Sequence, residues 1–297
     1  MNAPVILFVY SRLEHTKETI NELKKNHLAQ ETDLIIYSDC YKNDSDKKAV
    51  QSVRCYLETL KNGFKSVEII TRTENFGLAK NIMEGVSEVT KKHGRAIVLE
   101  DDIVTSPFFL TYMNEALEKY KNNKKIWHIS GWNYPISDSE LPDAFFWRTM
   151  NCWGWATWDD RWSEFSKEPQ KLIDTWSKDD IYKFNVDGAN NFWSQVIANN
   201  KGTLNTWAIF WYATIFKNNG LCLNPTVSLV LNIGNDGSGE NCTDNDLYKV
   251  ELFLDTLILP NDININSQAV DRIKKFYKKS KLPIYKKIIN KIKRKFK

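Results

Sequence analysis

The stretch Ala96-Ile97-Val98-Leu99-Glu100-Asp101-Asp102 decides the fold. Its four apolar residues predict a strand that is buried on both faces, and three consecutive carboxylates follow directly. In an open α/β sheet, the carboxyl end of such a strand borders the ligand crevice. Because neighbouring carboxylates repel each other, the trio favours a divalent cation such as Mg²⁺ or Mn²⁺, which prefers oxygen ligands and shares them with substrate phosphates.

Three similar units precede this strand. Strands are predicted over 5–10 and 34–37, which are apolar runs, and over 67–70, and amphipathic spacing predicts a helix after each of them. Ser11 and Glu14 have the spacing of a capping box before the first helix. A β-α repeat of roughly 30 residues implies right-handed crossovers. The chain is therefore predicted to form a Rossmann-like α/β fold, with a mainly parallel sheet and helices on both faces.

The second half is less regular. After Asp102, a helix is predicted over 107–120 and a strand over 126–130, followed by a loop-rich region rich in Trp from 131 to 162. We find no low-complexity linker and no internal repeat of this half. The second half is therefore expected to pack directly on the first sheet.

The composition is that of a globular protein. The chain has 297 residues, of which 42% are hydrophobic and 26% charged, enough for one large α/β domain. Five cysteines without CxxC spacing favour reduced thiols in a cytosolic protein. The first apolar run is too short for a signal peptide, and no run approaches the about 20 residues of a membrane span.

The charge is distributed unevenly. The chain carries 41 Lys and Arg against 37 Asp and Glu, but 13 of the basic residues fall within 272–297, which hold no acid. The acidic body argues against nucleic acid as a partner. Residues 268–297 instead predict a basic amphipathic helix suited to an anionic membrane surface. A disordered or oligomer-forming helix is the alternative.

Polar residues follow two other predicted strands. Arg12 comes just after the first strand, and Asp39 comes just after the second. An arginine there can pair with a diphosphate or a base carbonyl, and an aspartate can accept from a base N–H or a ribose hydroxyl. Since parallel strands end at one edge of a sheet, these residues and 100–102 together outline a nucleotide site.

The segment 75–81 opens the third predicted helix. Gly77 permits a tight turn, and Lys80 or Asn81 can reach a phosphate from the first helical turn. An ordinary N-terminal turn without a ligand is the alternative.

A second unusual segment is Trp-Gly-Trp-Ala-Thr-Trp at 153–158. Gly154 lets the flanking indoles approach a ligand or each other. The segment forms either a buried aromatic cluster that joins the two halves, or a wall of the donor or acceptor sugar site, and both can hold at once.

Taken together, these features resemble a known family. Over about residues 4–243 the chain resembles the GT-A glycosyltransferases, on Arg12, Asp39, Asn75-Phe76-Gly77, Glu100-Asp101-Asp102 and Trp153-Gly154-Trp155-Ala156-Thr157-Trp158. It is similar to family-2-like bacterial enzymes of surface-polysaccharide clusters and to the eukaryotic N-acetylglucosaminyltransferase I group. The resemblance implies a nucleotide-sugar donor, UDP-linked, a Mn²⁺ or Mg²⁺ ion, and inverting transfer to a hydroxyl. It also implies one GT-A domain over 1–267, with a nucleotide-sugar half (1–102) and an acceptor half (103–267).

The resemblance also assigns roles to single residues. Asp102 coordinates the metal that bridges the donor diphosphate, and the metal stabilises the leaving group. The other donor-binding residues that it implies are Arg12, Asp39, Asn75, Lys80, Glu100, Asp101, Trp153 and Trp155.

The general base is the weak point of the resemblance. An inverting transfer needs a base near the acceptor hydroxyl, and the related enzymes tend to have a carboxylate beside a Trp in the second half. The matching stretch here, 204–211, contains no acid. Asp236 and Asp159 are the predicted candidates, and Asp160 and Asp187 are further ones. Asp236 can instead belong to a loop that closes over the diphosphate.

The sequence therefore predicts a metal-dependent, inverting glycosyltransferase that acts on a glycan or lipid-linked glycan in cell-surface polysaccharide synthesis. It is expected in the cytoplasm, peripherally bound to the inner face of the membrane. One alternative is a non-catalytic nucleotide- or glycan-binding protein, supported by the missing acid beside Trp207. Another is a sugar-nucleotide pyrophosphorylase, although the segment 11–14 lacks the Gly-rich loop of that class.

Overall fold

The computed structural model describes residues 2–136, 138, 140–234 and 246–280, and the predicted base Asp236 lies outside this range. The strands are β1 (Val5–Val9), β2 (Asp33–Ser38), β3 (Ser66–Thr71), β4 (Arg95–Glu100), β5 (Ile103–Thr105), β6 (Ile126–Ser130), β7 (Ala144–Trp147), β8 (Trp155–Trp158), β9 (Leu221–Pro225) and β10 (Val230–Asn232). The α-helices are α1 (Leu13–Lys24), α2 (Asp44–Glu58), α3 (Gly77–His93), α4 (Phe109–Tyr120), α5 (Asp159–Trp162), α6 (Pro169–Thr175), α7 (Lys178–Phe184), α8 (Trp193–Asn200), α9 (Ala208–Lys217) and α10 (Ser267–Ser280). Two 3-10 helices cover Ala29–Glu31 and Asp246–Tyr248.

The first four strands form the parallel half of one sheet, in the order β3-β2-β1-β4. In this register Val9 pairs with Ser38 and Phe8 pairs with Glu100, so the carboxyl ends of β1, β2 and β4 lie at one edge. All five residues of β1 and the four apolar residues of β4 are buried, as expected for strands covered on both faces. The predicted α/β fold with a mainly parallel sheet is confirmed.

The second half continues the same sheet. β8 lies antiparallel between β4 and β6, and the full order is β3-β2-β1-β4-β8-β6-β9-β7. β5 and β10 form a separate antiparallel pair, in which Ile103 is opposite Asn232. The two halves therefore share a hydrogen-bonded sheet, which explains why no linker separates them.

The predicted capping box is wrong. Arg12 is the N-cap residue of α1, and no side chain caps this helix end. The helix therefore starts one residue later than a cap at Ser11 requires. An arginine side chain has no acceptor for the helix N–H groups, and that of Arg12 instead donates to Asp102.

Helix α10 is the described part of the basic tail. Ala269, Ile273 and Tyr277 on its apolar face are buried, and the hydroxyl groups of Tyr277 and Tyr134 are hydrogen-bonded. This apolar face therefore packs on the protein, while residues 281–297 lie outside the described residues. Among the described helices, none is both long and apolar enough to span a membrane.

Candidate active site

Arg12 and the carboxylates after β4 form the centre of the candidate site. The Arg12 Nη2 donates to Asp102 Oδ2 at 2.7 Å and also to Asp101 Oδ1. The Arg12 Nε donates to Asp101 Oδ2 at 3.4 Å. The end of β1 thus supplies a cation to the acids at the end of β4, as expected of neighbouring parallel strands.

Burial shifts the pKa values of the acidic side chains in this site. Burial, followed by the charges of Asp102 and Asp101, raises the pKa of Glu100 well above its usual range. Burial also raises the pKa of Asp101, more than the Arg12 guanidinium lowers it. The Arg12 Nη1 atom is buried and has no hydrogen-bond partner among the described residues. The site therefore holds more negative charge than one guanidinium balances, together with an Nη1 group whose N–H donors face no acceptor in the described part of the chain.

These residues fit a divalent cation that is shared with a phosphate. The described residues contain no group of three or more His, Cys, Asp or Glu side chains placed to hold a metal alone. However, Mg²⁺ and Mn²⁺ at phosphate sites are held by one or two carboxylates, with the remaining ligands from phosphate and water. Asp101 and Asp102 supply such oxygen ligands, and their mutual repulsion favours an added cation.

Gly234 packs against this ion pair. A Cβ atom at Gly234 would lie 2.2 Å from Asp102 Oδ2 and 2.7 Å from Arg12 Nη1. The backbone N–H of the preceding Ile233 donates to Asp102 O at 2.9 Å. A side chain at this position would have to displace the Asp102 carboxylate or the Arg12 guanidinium, and sequence analysis missed this role. The signal was available, since Gly234 opens the glycine-rich segment that follows the last predicted apolar run.

Asp39 is engaged within the protein. Its carboxylate accepts hydrogen bonds from the backbone N–H groups of Cys40, Phe76 and Gly77 at 2.8–2.9 Å. It also accepts from Asn75 Nδ2 at 3.2 Å. Asp39 therefore positions the turn that opens α3. Gly77 has a φ of +67°, as predicted for a tight turn. The nucleoside-binding role of Asp39 and Asn75 stays a prediction.

Lys80 and Asn81 have partners within the first half. The Lys80 Nζ lies 3.8 Å from the centre of the Phe76 ring and 3.9 Å from a carboxylate oxygen of Glu84. Asn81 is buried and its Oδ1 accepts from Arg72 Nε at 3.1 Å. The structure does not bring either side chain to the carboxylates after β4.

The two indoles of the Trp-rich segment, Trp153 and Trp155, lie in different environments. Trp155 is only 1% exposed and stacks on Trp207 and His128, with ring centres 5.2 and 5.3 Å apart. It therefore belongs to the core, and its predicted contact with the donor is not supported by this placement. Trp153 is half-buried and its ring centre lies 4.7 Å from that of Trp132. Gly154, with a φ of +61°, lies between the buried Trp155 and the half-buried Trp153.

His128 holds the loop that carries Trp153. Its Nδ1 accepts from Trp211 Nε1 at 3.2 Å, so the proton must be on Nε2, which donates to Asn151 O at 3.0 Å. Burial lowers the pKa of His128 to about 3, which keeps the ring neutral. Sequence analysis gave no role to His128, because its partners are distant in the chain.

Asp159 lies far from the candidate site. Trp158 pairs with Arg95 at the start of β4, and the Asp159 N–H donates to Gly94 O at 2.9 Å. At about 3.3 Å per strand residue, this is roughly 20 Å from Asp102 along the strand. The structure therefore does not bring Asp159 to the acids, since β8 runs antiparallel to β4 and carries it away. Its predicted role as general base is not supported by this placement.

Two other predicted bases are Asp187, which is paired with two cations, and Asp236. The Asp187 carboxylate pairs with Arg148 and Lys274, each at 2.5 Å, and these cations lower its pKa. A base that is held by two cations is a poor proton acceptor. Asp236 lies within 235–245, outside the described residues.

The sequence model of the GNT-I family matches residues 1–184, which is more than half of the chain. The chain therefore belongs to the GNT-I family. Among curated proteins, none matches the chain. The family match favours the glycosyltransferase interpretation over the pyrophosphorylase.

Several solved structures are similar to the chain, all of them at low identity. The residue 1–349 structure of S. aureus TarS is 10% identical with a TM-score of 0.46, over 77% of this chain and 59% of that one. The mannosyltransferase PcManGT from Pyrobaculum calidifontis, in complex with GDP-Man and Mn²⁺, is 10% identical with a TM-score of 0.43, over 74% of this chain and 70% of that one. The galactosyltransferase LgtC is 11% identical with a TM-score of 0.36, over 71% and 70% of the two chains. The chain spans only 22% of a longer TarS structure.

Proposed function

We propose that this protein is a metal-dependent, inverting glycosyltransferase that uses a nucleotide-sugar donor, UDP-linked, and a glycan or lipid-linked glycan acceptor. The observation that carries the proposal is the set of carboxylates after β4, Glu100 to Asp102, which faces Arg12 across the strand ends. Buried acids that repel each other at the edge of a parallel sheet suit a cation that carries a diphosphate.

The donor would lie along the carboxyl ends of the strands. Asp102 is the proposed metal ligand, and the bound cation would offset the charge that the diphosphate gains as the glycosidic bond breaks. Arg12 is proposed to bind the diphosphate, because its Nη1 is buried without a partner among the described residues. Asp101 and Glu100 would contact the ribose or the donor sugar. Asp39 and the segment 75–77 would border the nucleoside.

Of the two predicted bases, Asp236 is the one that we retain. It follows Gly234, which contacts Asp102, by only two residues in the chain. An Asp236→Asn variant should therefore lower kcat while the affinity for the nucleotide changes little, since the donor contacts are made elsewhere.

The acceptor and the location are proposed from the basic tail. Lys275, Lys278 and Lys279 on α10 are exposed, while its apolar face packs on the protein. This surface would attract the protein to the anionic inner face of the cell membrane. A cytoplasmic enzyme held there would meet lipid-linked acceptors of cell-surface polysaccharide synthesis.

A ligand panel tests the proposed donor. The thermal midpoint of the full chain is measured with UDP, UDP-glucose, UDP-galactose, UDP-N-acetylglucosamine and GDP-mannose, each with and without MnCl₂. A ligand that binds the folded state stabilises it by about 2.7 kcal/mol at a hundredfold excess over Kd. We expect stabilisation by at least one UDP compound, and only with Mn²⁺. No shift with any compound, or equal shifts without metal, contradicts the proposal.

A further inference from the structure

Three aromatic side chains form a cluster beside the acids, which we call the sugar platform: Trp132, Trp153 and Tyr248. The ring centre of Trp132 lies 4.7 Å from that of Trp153 and 6.1 Å from that of Tyr248. The rings of Trp153 and Tyr248 are nearly perpendicular and 6.1 Å apart. Trp132 is 3% exposed, whereas Trp153 and Tyr248 are half-buried. The platform therefore has a buried floor and two partly open aromatic walls.

The floor of the platform has an unsatisfied donor. The Trp132 Nε1 is buried and has no hydrogen-bond partner in the part of the chain that the structure describes. Other buried indoles do have one: Trp147 Nε1 donates to Asn224 Oδ1 at 2.9 Å and Trp158 Nε1 to Leu117 O at 3.1 Å. Because a buried N–H without an acceptor is costly, the exception needs an explanation, and a bound hydroxyl would supply the acceptor.

The register places the platform next to Glu100. Trp155 pairs with Val98 on one side and with Ser130 on the other. The next residues on the same face at this edge of the sheet are Glu100 (two after Val98), Trp153 (two before Trp155) and Trp132 (two after Ser130). The platform is therefore the next surface after the acids along the sheet edge.

The spacing of the strands suggests that the platform lies at the position of the acceptor sugar. Neighbouring strands lie about 4.8 Å apart, close to the width of one hexose ring. The strand order β2-β1-β4-β8-β6 would then place the nucleoside at β2, the diphosphate at β1, the donor sugar at β4 and the acceptor sugar at β8 and β6. Trp153 on the β8 side, with Trp132 and Tyr248 beyond it, would then line the acceptor sugar and not the donor sugar.

We propose that the sugar platform binds the sugar ring of the acceptor, with an aromatic face against the C–H face of that ring and the Trp132 N–H donating to one of its hydroxyls. This inference rests on the proposed function. The chemistry favours an uncharged sugar, because the platform offers aromatic faces and one neutral donor. It adds Trp132 and Tyr248 to the residues that contact substrate.

Saturation-transfer NMR on the full chain tests this inference. The probes are methyl β-glucoside, methyl β-galactoside and methyl N-acetyl-β-glucosaminide, each measured with UDP and MgCl₂ present. We expect at least one glycoside to receive saturation. Tyr248→Ala and Trp153→Leu should each weaken its binding about tenfold, as for the loss of one aromatic contact. Trp132→Phe keeps the ring but removes the N–H, and should weaken binding about fivefold.

The matched control is Trp158→Phe, which removes an indole N–H at the other end of β8 and should leave glycoside binding unchanged. If Trp132→Phe does not fold by circular dichroism, Tyr248→Ala at the half-buried wall decides. Saturation of UDP with no glycoside signal, or glycoside binding that all three variants retain, overturns the acceptor subsite and leaves the proposed donor intact. If UDP also receives no saturation, the proposed function fails too.

Discussion

Arg12 donates to the Asp102 carboxylate at 2.7 Å, and the backbone of Gly234 lies directly against both partners. A guanidinium therefore stands where a divalent cation would also bind, on the same carboxylate oxygen. Two cations that share one carboxylate compete for it. The affinity of the acids for metal is thus set partly by how readily Arg12 leaves them for another anion, and a diphosphate is such an anion.

The Arg12→Met substitution tests whether Arg12 and a divalent cation compete for these carboxylates. The substitution leaves Asp101 and Asp102 without their cation, which should destabilise the protein by about 3 kcal/mol, as for a broken buried ion pair. MnCl₂ should then stabilise the variant more than the wild type, because the carboxylates have no competing cation. Differential scanning fluorimetry with increasing MnCl₂ measures both effects.

Arg161→Met is the control for this experiment. Arg161 is buried and pairs with Asp160, which follows β8 at the opposite end of the sheet. Its loss should destabilise the protein without changing the response to MnCl₂. If both variants respond to MnCl₂ as the wild type does, Arg12 does not compete with metal.

Gly234→Ala should disturb the same site from the other side. The added methyl group would lie 2.2 Å from Asp102 Oδ2, so the carboxylate or the backbone must move. Overpacking of this kind costs about 1–3 kcal/mol, and we expect UDP affinity with Mn²⁺ to fall about tenfold or more. Gly202→Ala is the comparison: no atom of the described residues lies within 4 Å of a Cβ atom there, and its φ of +69° should lower stability without disturbing the site. Equal UDP affinity in the two variants would show that Gly234 is not part of the site.

His128 predicts a pH dependence of stability. Burial lowers its pKa from 6.5 to about 3 in the folded protein. Below pH 6.5 the unfolded chain binds a proton that the folded protein does not, so the free energy of unfolding falls as pH falls toward 3. This contribution approaches about 1.4 kcal/mol per pH unit in that window and vanishes above it.

Urea unfolding of the wild type and of His128→Gln between pH 7 and pH 4 measures this contribution. The variant should be less stable at pH 7, because its ring contacts are lost, but its stability should depend less on pH. The exposed His27→Gln serves as the control and should keep the wild-type slope. A His128→Gln slope equal to that of the wild type would contradict a neutral, buried His128.

The basic face of α10 predicts membrane binding that depends on lipid charge. Changing the exposed Lys275, Lys278 and Lys279 together to Gln should weaken binding to phosphatidylserine vesicles by up to about a hundredfold, at about 1 kcal/mol per lysine. The thermal midpoint should not change, because these side chains are exposed. Vesicle flotation of the full chain measures the effect. Equal flotation of wild type and variant, or equal binding to neutral vesicles, would contradict the proposal.

The parallel half of the fold was predictable from the sequence because its signals are local. β1 and β4 are short apolar runs buried on both faces, and α3 has regular amphipathic spacing before Gly94. The acids and Arg12 were predictable as neighbours for the same reason, since parallel strands end at one edge.

The second half depends on contacts that no local pattern records. β8 enters the sheet antiparallel between β4 and β6, which moves Asp159 to the far end of the sheet and buries Trp155 in the core. The hydrogen bonds of Asp39 to Phe76 and Gly77, and the fit of Gly234 against Asp102, join residues distant in the chain. The sequence pattern singled out residues such as Asp39 as candidates for the site, but only the pairing of strands shows which partner each one has.

Calorimetric titration of UDP in the presence of MnCl₂ tests the central claim most directly, using the wild type, Asp102→Asn and the control Asp160→Asn. Asp160 is an acid of the same type at the opposite end of the sheet, paired with Arg161 and Lys124. If Asp102 holds the cation that carries the diphosphate, Asp102→Asn weakens UDP binding at least about a hundredfold. Asp160→Asn then binds UDP as the wild type does. Equal, Mn²⁺-dependent affinity in wild type and Asp102→Asn would contradict the account.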